Sequence, residues 1–491
     1  MPSQKNKFKY VSKKASLGCK NLAFFRFRNI NNEYIITNDY GDYVFLSKNN
    51  FNDLMQGKLK KNSKIYQDLA KNNFIKDKID TEKVVAKYRT RKNYLFAGPS
   101  LHIMVVTLRC NHRCLYCHAS ARDMEDMEKD MTKETAKKTL DNIFKTTSGY
   151  IVIEFQGGEP LVNWPIIKFV VEEARRKNKK AKKELSLRLI SNFSLMDEEK
   201  YQYLIKNKVE MCTSLDGPEK LHNKNRPSTT GVNSHKNIAK WINRFNEDYP
   251  VLRKRGYIWK IGAIVVISKY SLKNHKEIID EYIKFGFSSL FLRPLNPFGF
   301  SHEVWSKINY SADEFIDFYK KSLDYIIERN LAGIYIVEKW AKTFLQKILT
   351  DNDPNMMEIR NPCGAGLGQL AYNYNGDVYT CDEGRMMSMM GDESFKIGSV
   401  KDDYEKIVTH TVTRTLCSAS CLEGVAGCSN CAYLPYCGVC PIYNYFEQGN
   451  IFGQSATNDR CKINLAILDY LLLKLKNDKI KKEVFLNWLK K

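Results

Sequence analysis

The chain has 491 residues, too many for one domain of ordinary size, so about two to four folded units are expected. Apolar residues make up 43%, which supports a real core and argues against a disordered chain, and no run approaches the roughly 18 continuous apolar residues of a membrane-spanning helix. The formal charge is +23, but lysine is spread along the chain without an arginine-rich block, so nucleic acid is a poor candidate partner and an acidic peptide a better one. The opening MPSQKNKFKY is polar and basic, without the apolar core of a signal peptide, and points to a soluble cytoplasmic protein.

In chain order, residues 1–20 are charged and read as a flexible N-terminus. Residues 21–92 hold a small unit. EYIITN and YVFLS alternate as strands around the turn-like DYGD, and Ser47 is placed to cap a helix carrying Phe51, Leu54 and Met55. A second helical stretch holds Tyr66, Leu69 and Ala70, which makes the unit winged-helix-like, and KYRTRKNY reads as a charged linker leaving it.

From 93 to 310, strand and helix patterns alternate. LHIMVVT, YIVIEF, LSLRLIS, VEMCTSL, WKIGAIVVIS and LFLRPL read as strands. Between them, KETAKKTLDNIF, IIKFVVEEARR, SHKNIAKWINRF and LKNHKEIIDEYIKF read as helices, the last stopped by Gly286. Six alternations predict a parallel sheet with strands apolar on both faces, in an open or partial α/β barrel. Its active site belongs at the C-terminal strand ends. The residues able to do chemistry sit there. A cysteine loop follows the first strand, Gly157, Gly158 and Glu159 the second, Ser191 and Asn192 the third, and Ser214 and Asp216 the fourth. Residues 311–360 carry two amphipathic helices as a bridge, with Ser311 and Glu314 at capping-box spacing. Residues 361–465 are cysteine-rich, and 466–491 form a final helix.

The fourteen cysteines are clustered, which in a reducing compartment points to metal rather than disulfides. Cys19 and Cys212 stand apart, and Cys212, in an apolar strand, reads as a core thiol. Cys110, Cys114 and Cys117 are spaced C-x3-C-x2-C. His112 and His118 are near enough to complete a zinc site, but three thiolates alone suit a four-iron cluster with one iron open to a ligand. Nine more cysteines lie between 363 and 461.

The cysteine loop after the first barrel strand resembles that of the radical S-adenosylmethionine (SAM) superfamily. That resemblance implies a (β/α)6 TIM-like partial barrel, a 4Fe–4S cluster on Cys110, Cys114 and Cys117, and SAM bound to its open iron. It implies that GGEP holds the SAM amine through Glu159 with Gly157 and Gly158, that Tyr116 lies near the adenine, and that Asn192, Ser214, Asp216 and Arg226 are further SAM contacts. The set beginning at Cys363 resembles the SPASM extension of radical SAM maturases, which holds two auxiliary 4Fe–4S clusters. Carried over, one is held by Cys428, Cys431, Cys437 and Cys461, and the other by Cys363, Cys381 and Cys440 with Cys421, or else Cys417, as fourth ligand or with an open iron. CGVC is one residue shorter than the usual spacing. Asp382, after Cys381, matches the position of a proposed base in sulfatase maturases.

Together, FRFRNINNEYIITNDYGDYVFLS, GPSLHIMVVTLRCNHRCLYC, EFQGGEPLVNW and YCGVCPIYNYFEQGNIFGQ are similar to the His-Xaa-Ser system radical SAM maturases of the HxsB type. The similarity implies oxidative modification or crosslinking of a ribosomally made precursor peptide, with residues 21–92 as a peptide-recognition module. It also implies an electron donor such as flavodoxin or ferredoxin and a second maturase as partners. A sulfatase-type maturase making formylglycine, an RNA-modifying radical SAM enzyme and an iron–sulfur electron carrier are the alternatives.

Overall fold

The computed structural model describes residues 21–490, so the expected flexible segment 1–20, with Cys19, lies outside the described residues. The N-terminal unit opens with an antiparallel meander of β1 (Arg26–Ile30), β2 (Glu33–Thr37) and β3 (Tyr43–Ser47). The first of these strands was not expected. Ser47 caps helix Lys48–Met55 by accepting from Asn50 N–H at 3.2 Å, and Phe51 and Leu54 turn inward. Helix Lys64–Lys71 follows.

KYRTRKNY is not a linker. It is the second half of helix Thr81–Lys92, packed into the molecule. Its charges are satisfied far away in sequence: Lys87 pairs with Asp42 at 2.7 Å, and buried Arg91 donates to the carbonyls of Lys347 (2.7 Å) and Thr350 (3.1 Å). A buried charge is tolerated only with such partners.

The barrel is built from parallel strands β4 (Leu101–Thr107), β5 (Tyr150–Gly157), β6 (Glu184–Ile190), β7 (Val209–Ser214), β8 (Gly262–Val266) and β10 (Leu292–Arg293), in that spatial order. The sixth expected strand is split, because β9 (Ser289–Leu290) pairs instead with β11 (Val337–Glu338). The sheet stays open and grows at its other edge. There β12 (Gln369–Tyr372), from the cysteine-rich region, runs parallel to β4, followed by antiparallel β13 (Asp377–Tyr379) and β14 (Lys396–Ser399).

Strands β5, β6 and β7 are apolar on one face only, whereas β4 buries Met104 and Val106 on one face and Ile103 and Val105 on the other. Ile151, Ile153, Phe155, Leu187, Leu189, Val209 and Met211 are buried with helices Lys133–Ile143, Trp164–Ala181 and Glu198–Lys206 in one core. The residues between them are polar and half-buried: Glu154 and Gln156, Ser186 and Arg188, Glu210 and Cys212. Period-two alternation turns these toward the barrel lumen, which corrects the expectation of two apolar faces for β5–β7, while β4 meets it. They are bonded across strands: Ser186 Oγ donates to Glu210 at 2.7 Å and Arg188 Nε at 3.1 Å. Cys212 belongs to this polar face rather than to the core.

A second core joins the bridge helices Ala312–Leu331 and Lys339–Leu349 to the C-terminal helices Asp459–Asn477 and Lys479–Leu489. The expected Ser311/Glu314 capping box is present. The helix bearing Cys461 runs unbroken to Asn477, across the expected boundary at residue 465. Among the described residues, no helix is long and apolar enough to cross a membrane.

Candidate active site

The loop after β4 carries Cys110, Cys114 and Cys117 and is tied at its base by Arg109, whose Nε donates to Asp130 at 3.0 Å. The turn after β5 packs directly on it. Gly158 N–H and Glu159 N–H donate to the carbonyls of Thr107 (2.9 Å) and Arg109 (2.8 Å). A Cβ at Gly158 would stand 2.4 Å from the Leu108 and Arg109 oxygens. Gly157, at φ +148°, would place one 2.0 Å from Thr107 O. Both glycines are thus required by the cysteine loop itself.

Glu159 is buried and bridges two strand ends. It accepts from Leu161 N–H (3.0 Å), Ser191 Oγ (2.8 Å) and Asn192 N–H (2.7 Å). Burial nevertheless raises its carboxyl to about 7, the hydrogen bonds opposing the shift only in part. Asn192 in turn donates through Nδ2 to Asn111 Oδ1 at 3.0 Å. Asn111 and Ser191 were not singled out as contacts in the sequence.

On the opposite side, Asp216 is fully buried and receives Arg226 Nε at 3.2 Å, the Tyr116 hydroxyl and Val266 N–H. The Arg226 guanidinium also lies over the Tyr116 ring, 5.1 Å from its centroid, and Nη1 is 3.8 Å from Cys114 Sγ. Asp216 and Arg226 therefore clamp the cysteine loop to the ends of β7 and β8. Ser214 is half-buried at the tip of β7.

The three thiols lie in one another's field. Burial pushes Cys114 up to about 12, against the pull of Arg226, and Cys110 is raised further. Cys110 Sγ accepts from His112 N–H at 3.4 Å. Cys114, Cys117 and His112 line a cavity of about 300 Å³. Buried thiols that already accept N–H groups suit a metal centre that supplies the missing positive charge. Among the described residues, no three His, Cys, Asp or Glu side chains close around a single ion. His112 Nε2 is engaged with Ser194 Oγ at 2.8 Å, while His112 Nδ1 and His118 Nε2 are buried without a hydrogen-bond partner.

The C-terminal cysteines form two groups on a cavity of about 700 Å³. In the first, Cys428, Cys431, Cys437 and Cys461 share one field, and Cys437 is raised by burial to about 12. Cys431 Sγ accepts from Tyr433 N–H at 3.4 Å, and Cys437 Sγ from Asn464 Nδ2 at 3.6 Å. In the second, Cys363, Cys381 and Cys440 share a field. Cys381 and Cys440 each cap a helix, their sulfurs accepting from Gly384 N–H and Tyr443 N–H at 3.4 Å. Helix N-termini aimed at sulfur favour the anionic charge of a cluster. Cys421 is not among the residues lining this cavity: it caps the end of helix Thr411–Ser420 in the field of Cys417, Lys92 and Tyr88, while its neighbour Ser420 accepts from Cys363 N–H at 2.9 Å.

Asp382 accepts from Arg385 Nε at 2.9 Å and stands in the field of Glu154, on the lumen face of β5. The next residue, Glu383, lines the large cavity instead.

Residues 104–251 match the Radical SAM superfamily. The chain is 24% identical over 363 residues to the radical SAM cyclopropyl synthase TigE of Paramaledivibacter caminithermalis, covering 71% of this chain and 69% of that protein. It is 24% identical over 290 residues to a cysteine-type anaerobic sulfatase-maturating enzyme of Clostridium perfringens, covering 58% and 74%. Among solved structures, the anaerobic sulfatase-maturating enzyme anSMEcpe with bound AdoMet matches at TM-score 0.62 and 20% identity, over 78% of this chain and 99% of that one. Streptococcus suis SuiB bound to its precursor peptide SuiA matches at 0.52 and 14%, over 88% and 98%. The chain is thus similar to the Radical SAM superfamily over residues 104–251, and its fold is shared along most of its length with anSMEcpe and SuiB.

Proposed function

We propose that the chain is a SPASM-type radical SAM maturase that modifies a ribosomally made peptide, of the His-Xaa-Ser system kind. The observation that carries this reading is the placing of a three-cysteine loop at the mouth of a polar barrel lumen, with two further thiol groups on one cavity behind it. A 4Fe–4S cluster held there with SAM would supply radical chemistry able to remove a hydrogen atom from a substrate.

The protein's part is to hold and orient. Cys110, Cys114 and Cys117 hold the cluster. Glu159 and the turn of Gly157 and Gly158 receive the methionine amine, with Asn192, Ser214 and Tyr116 around the rest of SAM. Asp216 and Arg226 fix the loop that carries Tyr116 and Cys114. The lumen face of Glu154, Arg188 and Glu210 supplies hydrogen-bonding groups to a peptide, and Asp382 stands beside it as the acceptor of a substrate proton. Cys428, Cys431, Cys437 and Cys461 hold one auxiliary cluster, and Cys363, Cys381 and Cys440 hold the other, for the electron left on the substrate. A partner such as flavodoxin or ferredoxin reduces the first cluster, and a second maturase acts on the same peptide.

The outer edges of β1 and β3 make no backbone hydrogen bond among the described residues, which suits strand addition by a leader segment. Relatives support a peptide substrate: SuiB is described with a precursor peptide, and anSMEcpe with the Kp18Cys peptide. The similarity to sulfatase-maturating enzymes keeps formylglycine formation as the second reading.

The test is anaerobic reconstitution, then SAM and a reductant. About twelve irons per chain and release of 5′-deoxyadenosine are expected. No 5′-deoxyadenosine above that of Cys114→Ala would sink the radical reading. Co-expression with a small peptide encoded beside the gene, followed by mass spectrometry, should show loss of two hydrogens. Conversion of a sulfatase cysteine peptide to formylglycine instead would favour the second reading.

A further inference from the structure

The second C-terminal thiol group has three cysteines and a half-buried carboxylate that faces the cavity. Cys363, Cys381 and Cys440 each lie in the field of Glu383, and all four residues line the same cavity. Glu383 sits in the first turn of helix Asp382–Met389, two residues after Cys381. It is surrounded by other acidic and thiol groups: Asp382 and Glu358 lie in its field along with the three cysteines. Arg293, a cation in that field, is already held by the carboxylate of Glu358. Among the described residues, no side chain donates a hydrogen bond to Glu383 and none forms an ion pair with it. Its one donor is its own backbone N–H, and a carboxylate crowded by acids and thiols with so little support is costly.

The other acceptors of this region are not left in that state. Asp382, next in the chain, is bound by Arg385 (2.9 Å), and Glu423, beside Cys421, receives Asn361 Nδ2 (3.1 Å). Glu383 alone of these three faces the thiols. Cys421, the cysteine expected to complete the set, stands outside the cavity lining.

We propose that Glu383 is the fourth protein ligand of the cluster held by Cys363, Cys381 and Cys440. This rests on the auxiliary-cluster reading given under Proposed function. Iron accepts oxygen as well as sulfur donors, and its positive charge turns a costly carboxylate into a bonded one. The set is then three thiolates and one carboxylate, closed to outside ligands, and the Cys417/Cys421 pair is free of iron.

The test uses the full-length chain with Cys110, Cys114 and Cys117 all replaced by alanine, which removes the first cluster and its open iron. Reconstituted protein should hold about eight irons, and added cyanide should leave the reduced EPR spectrum unchanged. In the same background, Glu383→Ala should open one iron, so that cyanide shifts the spectrum. Glu383→Cys should give a third spectrum, again insensitive to cyanide, which separates loss of a ligand from loss of folding. Cys421→Ala should match its parent in iron and spectrum. The proposal is overturned if cyanide already shifts the parent spectrum. It is also overturned if Glu383→Ala stays insensitive, or if Cys421→Ala loses about four irons. A parent that binds no iron would instead remove the auxiliary clusters themselves.

Discussion

The barrel loop and the C-terminal region hold their cysteines by different means. Around Cys110, Cys114 and Cys117, one backbone bond, from His112 N–H to Cys110 Sγ, is joined by side chains on the ends of other strands: Asn192 from β6, and Arg226, held by Asp216, beyond β7. Around Cys381 and Cys440 it comes from the backbone N–H groups of the helices those cysteines begin. Backbone donors at a helix start are fixed by the local fold and cannot be withdrawn. A side-chain network, by contrast, couples the loop to whatever enters the barrel mouth. The contrast suits a site that must admit a ligand, beside sites that need only stay shut.

The hardest test of that contrast is Cys114→Ala. It should abolish 5′-deoxyadenosine formation and lower iron by about four per chain, while both C-terminal groups keep theirs. The reverse variant, Cys437→Ala, should lose a comparable amount of iron yet still cleave SAM. Next in size is Asp382→Asn. If Asp382 takes the substrate proton, peptide modification should fall by about 10²–10⁴-fold while SAM cleavage without peptide is unchanged. Arg226→Met leaves Asp216 buried without its cation and should cost about 3–5 kcal/mol by chemical or thermal unfolding.

A smaller effect is expected in pH dependence. The Glu159 carboxyl is raised from its ordinary value to about 7, so it binds its proton more tightly folded than unfolded. Its contribution to stability is therefore present at acid pH and lost as pH rises through about 7. A SAM ammonium would favour the carboxylate, so SAM affinity should rise between about pH 6 and 8 and Glu159→Gln should flatten that slope. Equilibrium binding across that range checks it. Smallest, Ser311→Ala removes the helix cap and should cost about 1 kcal/mol without changing iron content.

Much of this site was legible before any coordinates. Cysteine spacing and strand-end placement are local signals, and they marked Cys110 to Cys117, Glu159 and Asn192. The polar lumen face was legible too but was missed. Glu154 and Gln156, Ser186 and Arg188, Glu210 and Cys212 alternate with apolar residues at period two, a pattern overridden by assuming strands buried on both sides. The helix at KYRTRKNY could not be read locally, because Arg91 is neutralised by carbonyls more than 250 positions away. Nor could the orientation of Cys421, since spacing counts cysteines and does not say which way a helix end turns them.

One feature of the sheet bears on speed rather than on binding. Strand β12 leads from the Cys363 segment toward Cys381 and is hydrogen-bonded alongside β4, which ends at the Cys110 loop. Electron tunnelling falls off steeply with separation, so a relay drifting on a linker would fire erratically. On the proposed reading, the backbone ladder shared by β4 and β12 would act as a ruler between the two clusters, holding the gap through each turnover. Loosening it with a proline at Leu370 should therefore slow re-oxidation of the substrate radical before it weakens the binding of anything.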